Sequence, residues 1–188
     1  MTELGLIYDR ADDIERARHW YQRAKAAGSE AAAGHPADLQ RWQVREAQDE
    51  ARNLDREVRE LAKRGEIGKA IETFERARGL VPSLPPEAVT LNQLCWFGSL
   101  NGRAVEVIGY CDLAVAADEK NEAIRDSRGL ARALTGDLVG AAEDFRFWVE
   151  AKKDKQSEAV KRRQAWIPEL EAGRNPIGEA ELEALRNE

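Results

Sequence analysis

The chain has 188 residues, 43% hydrophobic, 34% charged and 6% aromatic, with a formal net charge of -6. That length suits one domain or one short repeat array, and the longest apolar run, 113–117, falls far short of the roughly 18 residues that span a bilayer. The charge argues against bulk nucleic-acid or anionic-membrane binding, and the collagen, disulfide-scaffold and membrane classes are excluded.

Met1-Thr2-Glu3 opens without the basic stretch and apolar core of a secretory leader. Cys95 and Cys111 make neither a disulfide framework nor a CxxC pair, so a reducing cytoplasm is expected. Ala, Leu, Glu, Arg and Lys dominate, while Val, Ile and Thr supply about one residue in eight, too few for a sheet-rich domain. The expected helices, in chain order, are 2–8, 13–27, 37–63, 67–79, 86–100, 104–117, 122–134, 138–152, 157–172 and 179–186. Gly28, Gly65, Gly79, Gly102, Gly136 and Gly173 stand at helix ends, where a left-handed cap is wanted. Pro36, Pro82, Pro85 and Pro176 fall in connections or first turns. Pro168 interrupts the ninth helix, and a kink or restart near Ile167 is expected.

The third helix is unusually long. Val44, Ala47, Ala51, Leu54, Val58 and Leu61 follow the three–four spacing of a packing seam. It reads either as an overlong repeat helix packed on the first unit or as a protruding arm that pairs with another chain. Arg41, Arg45, Arg52, Arg56 and Arg59 are interleaved with Glu46, Asp49, Glu50, Asp55, Glu57 and Glu60, which describes a solvated, salt-bridged face rather than a nucleic-acid surface.

The helices repeat. Gly136-Asp137-Leu138 through Phe145 matches Gly102-Arg103-Ala104 with Cys111 under Phe145, 34 residues earlier. A further 37 residues back stand Gly65, Ala70, Phe74 and Ala77, and 53 before those stand Ala17, Tyr21 and Ala24. The small residues of the leading helices are Gly5, Cys95 and Gly129, with Val58 as a departure. A 34-residue helix–turn–helix unit with Ala, an aromatic and Ala at these offsets resembles the tetratricopeptide repeat. Ala17-Arg18-His19-Trp20-Tyr21-Gln22-Arg23-Ala24 also looks like the related Sel1-like variant.

The resemblance implies an all-α fold: a right-handed α-solenoid of such pairs with C-terminal capping helices. The repeats fall at approximately 1–31, 51–84, 88–121 and 122–155, with an extended-helix insertion at 32–50 and the cap at 156–188. Each pair leaves an apolar face uncovered, so stacking buries the core. The leading helix of the first unit begins about a turn short, which reads either as a frayed N-terminal edge or, the favoured reading, as a chain cut from a longer protein.

No catalytic chemistry is expected. His19 and His35 have no metal-ligand spacing, and Cys95 and Cys111 occupy buried repeat positions where they act as small hydrophobes. No GxxxxGK[ST] or GxGxxG occurs. Neither cofactor nor metal is implied.

Recognition remains. The resemblance implies a concave groove, and its positions carry over to Arg52, Asp55, Arg59 and Lys63, then to Asn92, Trp96 and Ser99, then to Asp126, Leu130 and Ala133. Asp55 and Asp126 stand where the family's carboxylate clamp needs Lys or Asn. Arg125, Arg128 and Arg132 share one helix face and either pair with acids such as Asp126 or Asp144 or form an anion-binding strip. The expected function is a non-catalytic adaptor or scaffold that binds a protein or peptide partner in this groove, with Trp96 as its anchor. Alternatives are a regulatory segment of a larger bacterial signalling or effector protein, packed on its upstream domains, and a homo-oligomer formed through the long helix.

Overall fold

The computed structural model describes residues 1–11, 13–29, 36–152, 155 and 157–187. His35 and the side chain of Arg41 lie outside what is described. Among the described residues there are ten helices and no strand. In chain order they are α1 Thr2–Arg10, α2 Ile14–Ala26, α3 Pro36–Lys63, α4 Ile67–Leu80, α5 Ala88–Leu100, α6 Ala104–Ala117, α7 Glu122–Thr135, α8 Leu138–Ala151, α9 Glu158–Glu171 and α10 Glu179–Arg186. The all-helical expectation holds, and it follows from a composition rich in straight-chain helix formers.

The chain divides into two units, Met1–Ala51 and Arg52–Glu188, and α3 contributes residues to both. In the first unit α1 packs on α2. Gly5 makes this possible: a Cβ there would lie 3.0 Å from the Tyr21 ring. Ala17, Tyr21 and Ala24 form a small core on which Leu6 and Tyr8 pack. Asp13 starts α2 by accepting the Arg16 backbone N–H at 3.2 Å. The seam expected on α3 is buried at Ala51, Leu54, Val58 and Leu61, but Val44 is exposed, so the seam does not extend to the first turns named.

In the second unit consecutive helices pack from α4 to α9, α5 also packs on α7, and α10 returns to α5. Val58, Leu61, Ile67, Phe74, Leu91 and Val107 belong to one buried cluster. Leu100, Leu130, Phe145, Trp166, Leu170 and Leu185 belong to a second, which joins α9 and α10 to the helices before them. Asn121, Asp137 and Ser157 accept first-turn N–H groups of α7, α8 and α9. Gly65 and Gly136 follow α3 and α7 with φ of 76° and 94°, conformations that favour glycine. Gly79 departs from its expected role, because α4 continues through it to Leu80. Pro168 stands inside α9, which runs from Glu158 to Glu171, so the helix does not restart there. A proline so near the helix end forfeits a single i→i−4 bond there.

One spacing recurs. Gly5 meets Tyr21 and Gly129 meets Phe145, each at 3.0 Å from a built Cβ, and both pairs are 16 residues apart like Cys95 and Cys111. In that third pair both partners are cysteines, and they are joined as a disulfide with a Cα–Cα distance of 5.0 Å. Their burial matches expectation, with both at 0% exposure. Their reading as separate thiols is corrected, because the small-residue and aromatic positions of successive helices face each other. The bond removes the ground on which a reducing cytoplasm is expected.

Gly98 marks a close approach of α5 to α6. A Cβ there would lie 2.5 Å from Val107 Cγ1, and Val107 is fully buried. Gly98→Ala is expected to lower stability by about 1–3 kcal/mol, the cost of overpacking less a partial gain in helix propensity. Adding Val107→Ala should recover part of that loss in a thermal melt. A melt unaffected by Gly98→Ala would refute the close approach.

Candidate interaction site

The site builds up around α5 and α7. Trp96 and Asn92 lie one turn apart on α5, both half-buried. With Asp126 and Ser127 of α7, Trp148 of α8 and Arg163 of α9 they wall a hollow of about 270 Å³. Its floor is an ion pair. Arg163, 1% exposed, donates from Nε to Asp126 Oδ1 at 3.1 Å and from Nη2 to Oδ2 at 2.9 Å. The same guanidinium lies 5.0 Å from the Trp148 ring centre and 5.3 Å from that of Trp166. Asn92 Oδ1 is buried and has no hydrogen-bond partner among the described residues.

A second hollow, of about 430 Å³, opens on the other side of Trp96. Phe97, Leu100 and Leu185 supply apolar walls, and Lys63, Arg64 and Arg186 the charged ones. These cations sit in last turns or just beyond them, where positive charge complements helix termini. Arg186 also donates to the Leu100 carbonyl at 2.8 Å, which ties α10 to α5.

The expected groove residues are dispersed. Trp96 both lines the hollows and packs on the second core cluster, so its ring has a packing duty as well. Ser99 and Leu130 are fully buried at 0% and have no groove face to offer, which corrects both assignments. Arg52 is exposed on α3 and lines neither hollow. Arg59 reaches Glu87 and the Thr90 hydroxyl, both at 2.9 Å, and so ties α3 to the start of α5.

Asp55, also assigned to the groove, is 2% exposed and held by Arg78 Nη2, 2.9 Å from each carboxylate oxygen. Burial pushes its carboxyl above the usual range, and the Arg78 charge opposes that shift. Ala133 is also buried.

The arginine strip of α7 is turned inward. Arg128 grips Asp144 with two bonds, Nε to Oδ2 at 2.7 Å and Nη2 to Oδ1 at 2.8 Å. Arg132 adds a bond to Oδ2 at 3.0 Å, and Arg125 adds one to Oδ1 at 3.3 Å. Asp144 is 1% exposed and accepts from all three. Its hydrogen bond holds the Arg128 guanidinium still more firmly protonated. Arg128 also reaches Asp112 at 3.3 Å. Of the two readings of the strip, the structure shows the internal ion pairs, with Asp144 as the shared acid.

Tyr110 shows burial acting on a different group: the Glu75 carboxylate accepts its hydroxyl at 2.8 Å, and desolvation pushes the phenol up to about 12. Arg163 and Trp148 are the site residues that repeat arithmetic misses, because one lies in the cap and the other on a second helix. No group of His, Cys, Asp and Glu side chains among the described residues could hold a metal ion. No helix among them is long and apolar enough to cross a membrane. No protein-family model matches the chain, and neither does any curated protein or any solved structure.

Proposed function

We propose that this chain is a non-catalytic protein-interaction module, an adaptor or scaffold that takes a peptide segment into the hollow walled by Asn92, Trp96 and Trp148. Trp96 carries the proposal: half-buried and lining the hollow with Asn92, it offers a large apolar area of the kind that dominates binding hot spots. We further propose that the helix pairs are tetratricopeptide-like or Sel1-like repeats stacked in a right-handed α-solenoid. The 16-residue contact that recurs at Gly5–Tyr21, Cys95–Cys111 and Gly129–Phe145 supports that arrangement.

The test is selection from a random-peptide phage library on the whole chain. A peptide family should be enriched on the wild type, and Asn92→Leu should weaken it by about tenfold while the melting temperature holds. Repeated selections without enrichment, or peptides that bind both proteins equally, would reject the proposal.

A further inference from the structure

We infer that the outer face of α6 docks an amphipathic helix of a partner protein, one whose polar side is basic. This surface shares no residue with either hollow beside Trp96, so it stands or falls apart from the interaction reading above.

A helix that is apolar on all sides belongs in an interior, and α6 comes close, with Glu106 and Asp112 as its only charged residues. One side is used within the chain, where Val107, Cys111, Ala114 and Val115 are buried. The other side is in water. Val105 is 77% exposed and Leu113 52%, and Gly109 stands exposed between them. The three residues follow at four-residue steps and so form one stripe.

Gly109 is the residue that the chain itself does not explain. It sits inside a continuous helix, where glycine is less stable than alanine. A Cβ built on Gly98 or Gly129 would meet a neighbour at 3.0 Å or less, whereas one on Gly109 meets no atom within 4 Å. A glycine here gives room for close approach by a second backbone, and none of the described chain uses that room. The α6 backbone groups are spent within the helix, so an extended segment laid on the stripe would find no hydrogen-bond partners there. A helix satisfies its own backbone and presents apolar side chains at the matching period.

Charge selects the partner. α6 lies between α4 and α8: Tyr110 donates to Glu75 of α4 at 2.8 Å, and Arg128 bonds both Asp112 of α6 and Asp144 of α8. The repeat offsets of 37 and 34 residues bring Glu72 of α4 and Glu143 of α8 to the register of Gly109. Both are exposed and make no ion pair among the described residues. The bases a turn away are engaged elsewhere, Lys69 with Glu66 at 2.6 Å, Arg76 with Glu57 at 3.8 Å and Arg146 with Glu171. Lysines or arginines flanking the partner's apolar side would meet these two carboxylates. The net charge of -6 favours the approach of such a helix.

The probe is a fluorescein-labelled peptide, Leu-Lys-Lys-Leu-Leu-Lys-Leu repeated twice, titrated into the whole chain at low salt and followed by anisotropy. Its counterpart has Glu at every Lys. The basic peptide should bind saturably and gain helical circular dichroism, and the acidic one should not bind. Gly109→Leu and Leu113→Lys should each weaken binding by at least about tenfold, with Gly109→Leu melting no lower than the wild type. Glu72→Gln/Glu143→Gln should weaken it by about tenfold. Glu3→Gln/Glu15→Gln removes the same charge from the first unit and should bind as the wild type does.

Equal binding of the two peptides, a bound peptide that stays extended, or full affinity in Gly109→Leu would overturn the inference. So would equal losses in the two glutamate pairs, since net charge alone would then account for binding. A dimer in light scattering that Gly109→Leu turns into a monomer would assign the face to a second copy of the chain and overturn it too.

Discussion

Replacing Asp144 with Ala is expected to lower the melting temperature by about 10 °C. Asp144 is 1% exposed and takes bonds from Arg125, Arg128 and Arg132 at 2.7 to 3.3 Å. Its removal leaves three guanidinium groups on one face of α7. Their remaining acids, Asp112 and Asp137, are more than half exposed and so screened by water. Breaking a buried pair from one side costs about 3–5 kcal/mol, a large share of a total that rarely exceeds about 15.

The arginines should not be equivalent when they are replaced. Arg128, 12% exposed at its side chain and doubly bonded, should cost the most, and Arg125, 27% exposed with one long bond, the least. Thermal melts of Asp144→Ala, Arg128→Ala and Arg125→Ala in that order of severity are the expected result. An Asp144→Ala protein that melts with the wild type would mean the cluster does not hold α7 against α8.

Much of the helical framework was legible because its signals are local. Helix formers, Asn121, Asp137 and Ser157 at N-caps, and Gly65 and Gly136 after the C-termini each act within a turn of the residue that carries them. The site was less legible because it depends on which side chains meet across helices. Arg128 stood on the expected helix face, but its partner is found only by adding the offset that links facing positions. Asp144 lies 16 residues after Arg128 and Asp112 lies 16 before it, the same spacing that joins Gly129 to Phe145.

Ser99 and Leu130 were misplaced for a related reason. A groove position assigned by repeat register assumes an open face, and both residues are fully buried in a unit where α5 packs on α7 as well as on α6. Arg163 lies in α9, past the last repeat, where no register applies. A fully buried arginine there becomes intelligible only once Asp126, Trp148 and Trp166 surround it.

The Cys95–Cys111 bond carries the second large effect, and the same offset accounts for it. Both sulfurs lie at the level where α5 and α6 come together, one turn from Gly98 and its contact with Val107. Closing a loop of this length removes conformational freedom from the unfolded chain worth about 3 kcal/mol. The reduced protein and the Cys95→Ala/Cys111→Ala double variant should therefore both melt well below the oxidised wild type. The variant should fall further, because losing two sulfurs from a fully buried site also leaves a cavity.

Access gives a separate check. Both cysteines are at 0% exposure, so a reductant reaches the bond only when the helices part. Iodoacetamide after mild reduction in buffer should add no mass. The same treatment in denaturant should add two carbamidomethyl groups. Two free thiols titrating in denaturant without any reductant would show that the bond is absent, and the α5–α6 contact would then rest on Gly98 and Val107 alone.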